Sequence, residues 1–156
     1  MKPFLIAFRH DTGWDLRYLI ARVTGAPVHV AAIYGDTVVD TGFGGVRLLT
    51  VKERLERGRW EVFTVPEQYA ACRGEALGRS RVGWGYDWFG AIVAWWLGRP
   101  AGAGSPFKVF CSEEVADELI AAGVPLLYRR TARYNPRKLR DELRARFHWE
   151  STWVNP

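Results

Sequence analysis

Of the side chains able to act as nucleophiles at neutral pH, the sequence offers two cysteines, Cys72 and Cys111. Cys111 sits in the run Phe107-Lys108-Val109-Phe110-Cys111-Ser112-Glu113-Glu114-Val115, where an apolar approach meets the start of a predicted helix. Unpaired N–H groups and the positive dipole end at a helix start stabilise a thiolate, drawing its pKa below the free value of about 8.5. The same N–H groups can hold the oxyanion that forms when a thiolate attacks a carbonyl. The competing reading is a buried apolar cysteine, the commoner fate of this residue. Cys72, in Tyr69-Ala70-Ala71-Cys72-Arg73, has no helix-start context and reads as a structural core residue. Two cysteines without CxxC spacing build neither a four-ligand zinc site nor a disulfide scaffold, and the chemistry calls for no metal or cofactor.

A nucleophilic thiol needs a base, and there are three histidines. His29 lies between Val28 and Val30 in an apolar stretch, where its ring must find a hydrogen-bond partner or serve a function. A core histidine satisfied by a backbone carbonyl is the plainer alternative. His10 borders a polar turn and His148 falls near the C-terminus, so His29 is the best base. Asp40, in Val38-Val39-Asp40-Thr41, is the candidate to orient the imidazole. Its carboxylate would hold Nδ1–H and leave Nε2 for the thiol proton, the logic of a nucleophile–base–acid triad. Asp36 competes for that role, although a hairpin turn explains it adequately.

These residues need a scaffold. Residues 4–8 read as a short buried strand ended by Asp11-Thr12-Gly13, and 14–23 as a short helix closed by Gly25 and Pro27. Two β-branched runs, 28–34 and 37–41, around Gly35-Asp36 predict a hairpin. A Gly-rich stretch, 42–45, leads to a third strand at 46–50, a helical turn or two at 52–57 and a fourth strand at 60–65, ended by Pro66. Thereafter the pattern turns helical at 67–77, 86–97, 112–122 and 136–146, with a loop at 98–106. The last helix takes Asn135 as N-cap and Pro136 at its first position. Strands first and helices afterwards predict an α+β fold with a small antiparallel sheet packed against helices. One domain over residues 1–146 is expected, followed by an aromatic tail, 147–156.

Composition narrows the function classes. Hydrophobic residues make up 48% and charged residues 25%, values of a globular chain. No apolar run approaches the about 20 residues that span a bilayer, so no transmembrane segment is expected. The apolar run of residues 4–8 is too short for a signal peptide, which predicts a chain that is cytoplasmic as synthesised. A net charge of +5 suits an anionic partner without identifying one. Arg129, Arg130, Arg133, Arg137, Arg140, Arg144 and Arg146 make the C-terminal region basic. No nucleic-acid motif accompanies them, so a solvated helix face is preferred over nucleic-acid binding.

The order His29, Asp40, Cys111 resembles the circularly permuted papain-like hydrolases related to the NlpC-type cell-wall peptidases, the YiiX-like group. The likeness runs from about Phe4 to Leu143 through His29-Val30-Ala31-Ala32-Ile33-Tyr34-Gly35-Asp36, Val38-Val39-Asp40-Thr41, Gly45-Val46-Arg47, Gly85-Tyr86-Asp87-Trp88-Phe89-Gly90, Phe110-Cys111-Ser112-Glu113 and Asn135-Pro136. Asp40 stands where the group often has glutamate, and Val28 where threonine or serine is usual. The resemblance implies a permuted papain-like fold and a cysteine amidase or peptidase with Cys111, His29 and Asp40 as catalytic residues. It places 86–90 on a helix beside the cysteine helix, with Tyr86 lining the cleft and Ser112 beside the nucleophile as substrate-binding residues. The implied substrate is a peptide or isopeptide amide such as those of peptidoglycan, with a lipid acyl bond as runner-up. A different class is a non-catalytic papain-fold module of a larger assembly, such as a virion-associated phage tail tip, docking through the aromatic tail to a protein partner.

Overall fold

The computed structural model describes residues 3–10, 27–56, 58–87 and 107–155. Eight strands are present among them: β1 (Phe4–Arg9), β2 (His29–Tyr34), β3 (Thr37–Gly42), β4 (Gly45–Thr50), β5 (Trp60–Thr64), β6 (Gly85–Tyr86), β7 (Lys108–Val109) and β8 (Ser151–Val154). Four α-helices accompany them: α1 (Val51–Leu55), α2 (Ala71–Ser80), α3 (Cys111–Ala121) and α4 (Pro136–Ala145). Six strands form one antiparallel sheet in the order β4-β3-β2-β1-β5-β8, while β6 and β7 pair in parallel as a separate ribbon.

The central strands are apolar on both faces because both faces are covered. Phe4, Ile6, Phe8, Val30, Ala32, Tyr34 and Phe63 join Val115, Leu119, Leu139 and Leu143 in the larger core, on the side of α3 and α4. Their alternates Ala7, Ala31, Ile33, Val38, Trp60 and Val62 form a smaller cluster closed by Val51 and Leu55 of α1. Period-two alternation thus sends successive residues into two different cores. Full burial of each large aliphatic or aromatic side chain contributes about 1.5–3 kcal/mol, so the larger cluster dominates stability.

The hairpin turns where the Gly35-Asp36 pair predicts it. Tyr34 pairs with Thr37 across a two-residue loop, and Gly35 takes φ 61°, the left-handed conformation that glycine adopts without a side-chain clash. α1 begins on a reciprocal cap, with Thr50 Oγ1 accepting from the Glu53 N–H at 3.2 Å and the Glu53 carboxylate accepting from the Thr50 N–H at 2.7 Å. Asn135 caps α4 by accepting from the Lys138 N–H at 2.8 Å, with Pro136 in the first turn.

Three expectations change. The helix read at 67–77 begins only at Ala71, because the Ala70 N–H donates to the Ala122 carbonyl at 2.8 Å and ties the chain to the end of α3 first. Tyr86 does not open a helix: with Gly85 it pairs as a strand beside Lys108 and Val109. Residues 147–155 are not set apart from the domain as an aromatic tail. Phe147 and Trp149 pack onto the larger core, and Ser151–Val154 pairs with β5 as a sheet edge, giving partners to backbone groups that β5 would otherwise leave open. The helix read at 14–23, the loop at 98–106 and residues 88–97 lie outside the described residues. No described helix is long and apolar enough to cross a membrane.

Candidate active site

The hairpin positions two of the three groups. His29 is the first residue of β2 and Asp40 the fourth of β3, both past the last rung between these strands, Ala32↔Val39. Alternation puts both on the α1 face with Ala31 and Val38. His29 Nε2 lies 2.8 Å from Asp40 Oδ1, with the histidine side chain 14% exposed and the aspartate 1%.

The third group arrives from the opposite face. α3 starts at Cys111 itself, after the extended N-cap Phe110, and no side chain caps its first N–H groups. Cys111 is buried in the larger core, beside the His29 imidazole and the Val30 backbone N–H, both of which act on its thiol. The ring is turned opposite to the expectation: Asp40 holds Nε2, which leaves Nδ1 for the thiol. The orienting role of the acid is the same; only the nitrogens exchange places.

Charge organises the cluster. Burial would push the Cys111 thiol up, but the adjoining imidazole and the Val30 N–H prevail and leave its pKa lowered. Burial would likewise depress His29; the Cys111 and Asp40 charges overcome it and raise the histidine. Asp40 is held far below the ordinary carboxylate range, because His29, Arg54 and Arg47 outweigh its desolvation. Thiol low, imidazole high and carboxylate low are the conditions for a thiolate–imidazolium pair.

The two arginines were not singled out from the sequence. Arg47 faces Asp40 across the β3–β4 ladder, and its Nε and Nη2 both donate to Oδ2 at 3.3 Å. Arg54, on α1, brings its Nε within 2.8 Å of Oδ1. The signal for Arg47 was available: it lies two residues after Gly45 and Asp40 two residues before Gly42, the pair that closes the Phe43-Gly44 turn. Arg54 carried none, since it reads as one charge among several on an exposed turn.

Other sequence candidates fall elsewhere. Ser112 is fully buried and its hydroxyl donates to the Tyr134 carbonyl at 2.8 Å, so it anchors α3 rather than presenting a side chain to substrate. Tyr86 packs against Phe110, the residue before Cys111, and lies 6.2 Å from the Phe43 ring. His10, just past the end of β1, has its Nε2 3.1 Å from the buried Glu61, which Arg144 also binds. Asp36 stays in its exposed turn. Cys72 is exposed rather than part of the core, and both cysteines are free.

A second buried polar cluster lies farther along α3. Glu114 and Glu118 face inward; Tyr34 Oη donates to Glu118 at 2.9 Å, while Arg81 Nη1 donates to Glu114 at 2.8 Å and to Asp117 at 2.7 Å. Burial raises Glu114 to about 7 and Glu118 well above the ordinary carboxylate range, and the two carboxyls lie close enough to share a hydrogen bond. Among the described residues no His/Cys/Asp/Glu group is arranged to hold a metal ion. No protein-family model, curated protein or solved structure matches the chain.

Proposed function

We propose that the protein is a cysteine-dependent hydrolase of amide or ester bonds, using Cys111 as nucleophile, His29 as acid and base, and Asp40 as orienting carboxylate. The observation that carries this reading is the placement of Cys111, at the uncapped start of α3, beside His29, whose Nε2 lies 2.8 Å from Asp40 Oδ1. The Cys111 thiolate attacks the carbonyl carbon, and the carbonyl π electrons move to oxygen, where first-turn N–H groups of α3 accept the charge as hydrogen-bond donors. As the tetrahedral species collapses, the His29 imidazolium gives its proton to the leaving amine or alkoxide. Water then loses a proton to His29, attacks the thioester and releases the acid with Cys111 restored.

A permuted papain-like fold is the architecture this reading favours, supported by the order of histidine hairpin and late cysteine helix. For substrate we favour a peptide or isopeptide amide such as those of peptidoglycan. A lipid acyl bond is the second reading, favoured by one observation: Phe43 and Phe107, 54% and 66% exposed, flank the β6–β7 ribbon that leads into Cys111. The docking-module reading loses its main support because the C-terminal segment is engaged in the sheet.

The deciding experiment is alkylation of Cys111 by iodoacetamide across pH, followed by hydrolysis assays on peptidoglycan fragments and acyl esters. Rapid labelling below pH 7, abolished for Cys111 by Cys111→Ala and slowed at least tenfold by His29→Ala in folded protein, is expected. A Cys111 that labels no faster than an ordinary thiol sinks the reading.

A further inference from the structure

Asp40 does not serve His29 alone. A carboxylate offers about four acceptor positions; here Oδ1 pairs with His29 Nε2 at 2.8 Å and forms an ion pair with Arg54, whose Nε lies 2.8 Å away but outside hydrogen-bond geometry, and Oδ2 takes the two longer contacts from Arg47. The two arginines are not equivalent. The Arg47 side chain is 54% exposed, so water screens it. Arg54 is largely buried and its guanidinium lies over the Trp60 ring, 4.9 Å from the centroid. Trp60 is itself fully buried and meets the His29 ring edge-on, with centroids 6.4 Å apart. One indole therefore backs both the imidazole and the cation that competes with it for a single oxygen.

Resting on the triad reading above, we propose that Arg54 is a positioning residue of the active site: it shares Asp40 Oδ1 with His29 and thereby sets the acidity of the Cys111–His29 pair. A carboxylate bound only to an imidazolium stabilises that proton strongly. A second cation on the same oxygen weakens this hold while keeping the carboxylate ionised, so His29 can surrender its proton to a leaving group. The same cation favours the thiolate through space. The charged and titratable groups facing the pair are Asp40 from β3, Arg47 from β4, Arg54 from α1, Arg9 from β1 and Cys111 from α3. α1 is short, but its reciprocal cap and the packing of Val51 and Leu55 fix where Arg54 emerges.

The test reads the pH profile of Cys111 alkylation in the full chain. In wild type the rate should rise with thiolate formation and change again as the imidazolium deprotonates. Arg54→Gln removes a cation near both groups, so both limbs should move to higher pH, by roughly half a unit to two units. Arg54→Met, which keeps an apolar stem over Trp60, should do the same, and Arg54→Lys should return both limbs to their wild-type positions. Arg47→Gln should move them less than Arg54→Gln.

A purely structural arginine would lower the labelled fraction without moving either limb, and unmoved limbs in folded Arg54→Gln and Arg54→Met overturn the proposal. So does a shift in Arg54→Lys as large as in Arg54→Gln. Failure of both neutral variants to fold overturns it as well, making Arg54 a prop of the β3–α1 junction. The wild-type profile is read first: a wild-type Cys111 with ordinary thiol reactivity removes the triad reading itself, before any variant is considered.

Discussion

Two buried acidic sites lie on opposite faces of the same sheet, and they resolve the cost of burial in opposite ways. Asp40, on the α1 face, is one carboxylate among His29, Arg47 and Arg54. Glu114 and Glu118, on the α3 face, share Arg81 with Asp117, which leaves three carboxyls to one guanidinium. Asp40 is held toward its charged form, whereas burial pushes both glutamates toward their protonated forms. Depth is similar in both, so the ratio of cations to carboxyls decides which state survives burial.

Neutralising one acid at each site separates them most widely. Asp40→Asn strands two arginines beside an uncharged amide and should cost about 3–5 kcal/mol in urea unfolding, while also slowing Cys111 alkylation at least tenfold. Glu118→Gln should cost little, because a glutamine still accepts from Tyr34 and can donate to Glu114. Equal destabilisation by the two variants would erase the contrast.

The pH dependence of stability sharpens it. For the glutamate pair the folded pKa is raised, so its contribution is fully present below about pH 4.5 and is lost as pH rises through about 7. For Asp40 the folded pKa is depressed, so its contribution is present above the ordinary aspartate pKa and is lost only in strong acid. Between pH 5 and 8 ionisation of Glu114 should therefore lower the thermal midpoint, by a free energy on the order of 3 kcal/mol, and Glu113, which burial also raises to about 7, acts in the same direction, whereas Asp40 contributes no slope there. Glu118→Gln should reduce the slope without abolishing it, because burial raises Glu114 on its own.

Smaller effects probe how each site is packed. A Cβ on Gly74 would lie 2.7 Å from Tyr34 Oη and 2.9 Å from the Glu118 carbonyl oxygen. Gly74→Ala should thus destabilise by about 1–3 kcal/mol despite the better helix propensity of alanine. On the other face, Thr50→Ala removes the cap of α1 and should cost about 1 kcal/mol. Its Cys111 labelling profile should stay close to wild type, as Val51 and Leu55 still hold the helix down. Both are read by denaturant titration.

What the sequence discloses depends on how local the cause is. The β2–β3 hairpin, the α4 cap and the start of α3 follow from neighbouring residue types, and they bring His29, Asp40 and Cys111 together. Long-range causes are silent. Nothing near Arg54 says that it reaches Asp40, nothing in an acidic helix says that Glu114 and Glu118 point inward, and only the open edge of β5 turns Ser151–Val154 into a strand. The ring orientation of His29 depends on the approach of α3 from the opposite face, which no spacing along the chain encodes. The bond that anchors Ser112 is silent for a related reason: its partner, Tyr134, lies in a distant segment.

The 11-residue separation between His29 and Asp40 has a kinetic consequence. A tight hairpin closes within about 1–10 μs, whereas contacts between distant segments form late. The histidine–aspartate pair can therefore assemble early, with the thiol still at its unfolded acidity in an undocked segment. Cys111 acquires its reactivity only when α3 seats against β2. On the proposed triad reading, a growing chain would hold the base and its orienter without an activated nucleophile, and pulse alkylation during refolding would time the final docking of α3.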